Sequence, residues 1–197
     1  STTVVTASTT GADTTVFEAG LNPDGSNAAS DSETGTGEFS INATDGIMNI
    51  VIDAGGAPVT FTLADALDFD GSQTVDMGEG VLTLLGYTGD AFAGTVEYSY
   101  TLNGNIDNDS LIPSGGDAVT LDHFDDTAII TVNGLGGSSG SDDLVIRAID
   151  DVPTAHADTD KVIVSHTTDG NVITGADVND PDSNPDMAEA DIMGADG

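Results

Sequence analysis

The chain has 197 residues and sets 35 acidic side chains against two basic ones, Arg147 and Lys161, for a formal net charge of −33. Nucleic acid is excluded as a partner because phosphate contacts need a basic footprint, and the absence of Cys excludes a disulfide framework or a thiolate metal site. Hydrophobic residues make up 38% with no Trp, so the core must come from Val, Ile, Leu and a few Phe and Tyr.

The Thr-rich opening from Thr2 to Thr15 is irregularly spaced and reads as a mobile polar terminus, a flexible lead over residues 1–15. Ile47 to Ile52 is the first densely apolar run. With Val81 to Leu85, Ala128 to Val132 and Leu144 to Ile149 it suits sandwich strands that have partners on both sides. Val59 to Leu63 alternates, with Val59, Phe61 and Leu63 on one face, and Leu63 to Leu67 fits a short helical turn. From Thr95 to Leu102, Val96, Tyr98, Tyr100 and Leu102 alternate with polar residues, the clearest half-buried strand in the chain. Turn signals separate these runs: Asp45-Gly46, Gly55-Gly56, Asp70-Gly71, Gly89-Asp90, Asn103-Gly104, Gly115-Gly116 and Gly136-Gly137. The spacing predicts an all-β fold, an antiparallel β-sandwich over residues 16–150.

After Ile149 the composition changes. Asp150-Asp151-Val152-Pro153 ends a strand with paired acids and a Pro that cannot continue a central ladder, as a domain edge does. Residues 151–197 are too few for an independent core and read as a calcium-binding linker and the start of a next module, or as a segment that packs on the first. No stretch approaches a membrane span and the N-terminus lacks a leader's layout, so the expectation is a soluble piece of a longer protein with no membrane insertion.

So many carboxylates around one core repel each other, and divalent cations are the natural remedy. Ca²⁺ takes six to eight oxygens from Asp, Glu, Asn and carbonyls, and Asp beside Gly and Asn is the loop chemistry it uses. A salt-adapted surface is the competing explanation for dispersed acids, and the two are compatible.

The order of several motifs resembles a known family. Val16-Phe17-Glu18-Ala19-Gly20-Leu21 with Pro23-Asp24-Gly25-Ser26 resembles the opening of the repeat modules in giant type I-secreted RTX adhesins of Gram-negative bacteria. Val81 to Tyr87 and Gly94 to Leu102 are similar to the middle of those repeats, and Ser141 to Ala155 with Ala157 to Asp160 to their closing strand and linker. The resemblance implies an immunoglobulin-like, monomeric extender module in a secreted cell-surface stalk that serves adhesion and biofilm formation. Its partners would be neighbouring modules and the Ca²⁺ ions that stiffen their junctions. One departure is plain: where the family has an acidic hairpin before its last strand, this chain has Asn133 to Ser141, so a calcium site there is in doubt unless Asp142 and Asp143 replace it.

Asp150 and Asp151 end the module while Asp158 and Asp160 follow the Pro bend, and together they form the first candidate set of calcium ligands. Glu18 with Asp24 is the second, expected at the opposite end. Asp107 and Asp109 form a possible half-site, and Asp122, Asp125 and Asp126 crowd what reads as another loop. Residues 177–189 superficially match an EF-hand, but Pro181 and Asp182 break its required positions.

His123, His156 and His166 are scattered and fit no zinc spacing, and a carbohydrate-cleaving site would want aromatic platforms. Hence no enzymatic activity is expected. The alternative to a structural module is a ligand-binding adhesive one that recognises a carbohydrate, peptide or surface.

Overall fold

The computed structural model describes residues 4–9, 14–106 and 123–151, together with the backbone of 170–171 and 176–177. Two five-stranded sheets pack face to face as an all-β sandwich, and the buried side chains of both inner faces form one core. One sheet has the order β1 (Val5–Ser8), β3 (Thr34–Ala43), β8 (Ala93–Leu102), β7 (Gly80–Gly89), β6 (Gln73–Asp76). The other runs β2 (Thr14–Phe17), β10 (Ser139–Ile149), β9 (His123–Gly134), β4 (Ile47–Asp53), β5 (Val59–Thr62). A separate two-stranded ladder pairs β11 (Gly170–Asn171) with β12 (Ala176–Asp177).

The inner faces follow from period-two patterning. On β8, Val96, Tyr98, Tyr100 and Leu102 are all buried while Glu97 faces water. On β9, Asp126, Ala128, Ile130 and Val132 point inward; on β10, Leu144, Ile146 and Ala148 do. Each densely apolar run occupies a strand with neighbours on both sides, as its composition predicts. A register shift between Leu84 and Gly86 sets two residues of β7 against one of β8, which turns Leu85 out to 40% exposure. The helical turn forms as α1 (Leu63–Leu67), started by a capping box in which Asp65 N donates to Thr62 Oγ1 and Thr62 N to Asp65 Oδ2.

Three parts of the fold differ from the sequence expectation. The lead over 1–15 is corrected for the described residues: Val5–Ser8 pairs antiparallel with β3 and Thr14–Phe17 pairs parallel with β10. Thr9 clamps the crossing between the sheets, since its N–H and Oγ1 both donate to Asp142 Oδ2. β3 escapes an apolar count because its inner row reads Gly35, Gly37, Phe39, Ile41, Ala43. Gly35 and Gly37 lie opposite Tyr100 and Tyr98 on β8, and a Cβ on Gly35 would come within 2.6 Å of Thr14 Cγ2 and 3.1 Å of Val16 Cγ1, so side chains of β2 fill the space that Gly35 leaves free. Finally, Asp125 and Asp126 are strand residues on opposite faces of β9, not a loop cluster.

The two ends of the sandwich are built differently. At one, the hairpin pole, the turns β3–β4, β7–β8 and β9–β10 interlock: Ala43 N donates to Phe92 O, Ile47 N to Ala91 O, and Leu135 N to Gly46 O. Gly136 N donates to Asp45 Oδ2, and a Cβ on Gly136 would lie 2.3 Å from that oxygen, so this approach needs glycine. At the other, the acid pole, the ends of β2, β8 and β10 meet the starts of β7 and β9.

Candidate functional site

Parallel pairing of β2 with β10 sets Phe17 beside Ile149, so the residues that follow each strand emerge together. Glu18 opens a 3-10 turn, Glu18–Gly20, and is wholly buried. Its Oε1 accepts from Ile106 N at 2.7 Å and its Oε2 from Asp151 N at 3.0 Å. One carboxylate thus ties together the chain after the first strands, the chain after β8 and the chain after β10. Charge-assisted bonds of this kind are about twice as strong as neutral ones.

Asp151, 8% exposed, is held in turn by the loop after Glu18: Oδ2 accepts from Ser26 N at 2.7 Å and Oδ1 from Ser26 Oγ at 2.6 Å. Asp150 is half-buried with its Oδ1 atom inside the protein. Glu33 lies close by, since a Cβ on Gly20 would come 2.6 Å from its Oε2, and that oxygen is buried with no hydrogen-bond partner among the described residues.

A second polar group sits inside the same pole. Tyr100 Oη donates to Asp126 Oδ2 at 2.8 Å, with Tyr100 fully buried and Asp126 only 4% exposed. Burial pushes the Asp126 carboxyl up to about 6, against the donors Tyr100, Glu79 N and Thr127 N, which favour its charged form, while the charge of nearby Glu79 adds to the rise. Burial also raises the Tyr100 phenol, helped by the Asp126 charge. On the outer face, Asp125 forms a two-pronged pair with Arg147 at 2.8 and 2.9 Å, and that hydrogen bonding lowers its carboxyl.

Glu18, expected with Asp24 at the end opposite Asp150 and Asp151, lies instead beside them, because β2 runs parallel to β10 and not antiparallel to it. Asp24 is exposed on the loop that carries Ser26. Asp142 does not complete the β9–β10 hairpin; it sits opposite Ile130 on β10, where its bonds from Thr9 hold its carboxyl below the usual range. Asp107, Asp109, Asp158 and Asp160 lie outside the described residues. Sequence reading passed over Glu33 and Glu79, whose signal was faint: single Glu residues at strand starts in a chain crowded with Asp.

For a hard cation the donor chemistry fits, being entirely oxygen, and the buried Glu33 Oε2 is an oxygen that a cation would complete. Both oxygens of Glu18 and of Asp151 are already directed at N–H and O–H donors. Among the described residues no three His, Cys, Asp or Glu side chains are gathered tightly enough to hold a metal. Among the same residues no helix is long and apolar enough to cross a membrane. Comparison of the chain with protein-family models and with curated proteins returns no match.

Proposed function

We propose that the chain is an immunoglobulin-like extender module of an RTX-type bacterial surface adhesin, stiffened by calcium at its acid pole. The observation that carries this reading is the bond from Asp151 N to buried Glu18, which anchors the departing chain to the body of the sandwich just before the segment that bears Asp158 and Asp160. An anchored exit is what a stalk needs, since a free one would leave a hinge. The strand order supports the fold assignment: within the two five-stranded sheets, β1-β3-β8-β7 and β10-β9-β4 follow the four-and-three order of immunoglobulin-like sandwiches, with β6, β2 and β5 added at the edges.

Asp150 and Asp151, with Asp158 and Asp160 further along the chain, would hold the ion, and Glu33 offers one more oxygen. Bound Ca²⁺ supplies two positive charges and a demand for six to eight oxygens. Around it Glu18 orients the Asp151 backbone, and Ser26 fixes the Asp151 carboxylate. The rest of the −33 charge sets the repulsion that the ion relieves.

The test is thermal unfolding of the whole chain in millimolar calcium, in millimolar magnesium and in chelator. Calcium at a hundred times its Kd adds about 2.7 kcal/mol, so the midpoint should rise in calcium most of all. Asp150→Asn should shrink the rise. Equal midpoints in calcium and chelator would overturn the proposal.

A further inference from the structure

We propose that Asn103-Gly104 is a site of spontaneous deamidation, to which the fold grants access while it withholds the same chemistry from Asn133-Gly134. These are the two Asn-Gly steps in the chain. Asn-Gly reacts readily because glycine leaves the following amide nitrogen unshielded and free to rotate toward the side chain.

The two sites differ in every respect that matters to the reaction. Asn103 is exposed just past the end of β8, and its backbone N–H donates to Glu79 O at 2.9 Å. Among the described residues its side-chain amide and the Gly104 N–H have no hydrogen-bond partner. Among the described residues a Cβ built on Gly104 meets nothing within 4 Å, which leaves the peptide room to turn. Asn133 lies within β9, between β10 and β4, and its Nδ2 donates to Asn49 Oδ1 at 2.7 Å. The nitrogen that would attack it, Gly134 N, donates to Ser138 O at 2.8 Å, and a Cβ on Gly134 would strike Asp45 at 2.5 Å.

At Asn103 the Gly104 nitrogen, on losing its proton, attacks Cγ; ammonia leaves and a five-membered succinimide closes. Water then opens the ring at one carbonyl or the other, to give aspartate or isoaspartate. The net change is one water in and one ammonia out. Either product adds a carboxylate beside Glu79, in a chain already at −33. Isoaspartate also lengthens the backbone by one carbon between Leu102 and Ile106, whose N–H serves buried Glu18.

The experiment is peptide mapping by mass spectrometry of the intact folded chain over time at neutral pH, in parallel with the chain in concentrated urea. In the fold Asn103 should convert faster than Asn133 by about tenfold or more, because reaction at Asn133 must await strand opening; in urea the two rates should converge. Gly104→Ala, for which there is space, should slow conversion at Asn103 several-fold while the melting curve stays unchanged. Equal rates in the folded chain would overturn the proposal, and so would a rate gap that survives unfolding.

Discussion

The hairpin pole and the acid pole solve the same problem, closing one end of a sandwich, in opposite ways. At the hairpin pole the three turns bond to each other through backbone groups, and Val4, Phe92 and Leu135 stand exposed by 48%, 52% and 67%. At the acid pole the chain buries Glu18, Asp126 and Asp151. Backbone closure is cheap and local. Carboxylate closure costs desolvation, but one buried acid can tie three distant segments at once, as Glu18 does for residues 18, 106 and 151. Glu18 and Asp151 thus act as connectors at the end where β10 leaves the sandwich.

Removing the connector should do the greatest damage. Glu18→Ala leaves the buried N–H groups of Ile106 and Asp151 without an acceptor and opens a cavity, which should cost about 3–5 kcal/mol in denaturant unfolding; a loss below 1 kcal/mol would dissolve the contrast between the poles.

Next in size is the pH dependence of Asp126. Its folded carboxyl titrates at about 6, above the ordinary 3.8, so the folded protein binds this proton more tightly than the unfolded chain does. Its stabilising contribution is therefore fully present below the unfolded value and is lost as pH rises through about 6. Between pH 7 and 4 wild-type stability should climb by on the order of 2 kcal/mol from this group, and Asp126→Asn should flatten that climb. A carboxyl carbon resonance that titrates near 4 would refute it.

The smallest effect belongs to the hairpin pole. Gly136→Ala forces Asp45 aside, which should cost about 1–2 kcal/mol, and because the turn lies far from the acid pole the loss should be the same at pH 4 and pH 7 and additive with Glu18→Ala.

Much of this architecture could be read from the sequence. The apolar runs and the Thr95 to Leu102 alternation located β4, β5, β7, β8, β9 and β10, because for these strands patterning and burial coincide. β3 stayed hidden since its inner face begins with glycines, and Gly35 yields its space to Thr14 and Val16 of β2, a proximity that no local pattern reveals. β1 and β2 stayed hidden because their partners lie far along the chain and Thr serves at a sheet edge as well as in a coil. At the site, the importance of Glu18 and Asp151 was legible from their positions flanking the predicted sandwich. Their meeting was not, for it depends on whether the first strand runs with or against the last, and side-chain period is the same in both cases.

That parallel pairing also has a mechanical consequence. Thr14 to Phe17 and Ile146 to Ile149 run side by side in the same direction, so a pull on the chain ahead of Thr14 and behind Ile149 drags the two strands past each other lengthwise. The four rungs of this ladder then bear the load together instead of peeling one by one, and Glu18, stitched to Asp151 at the trailing end, shares the tug.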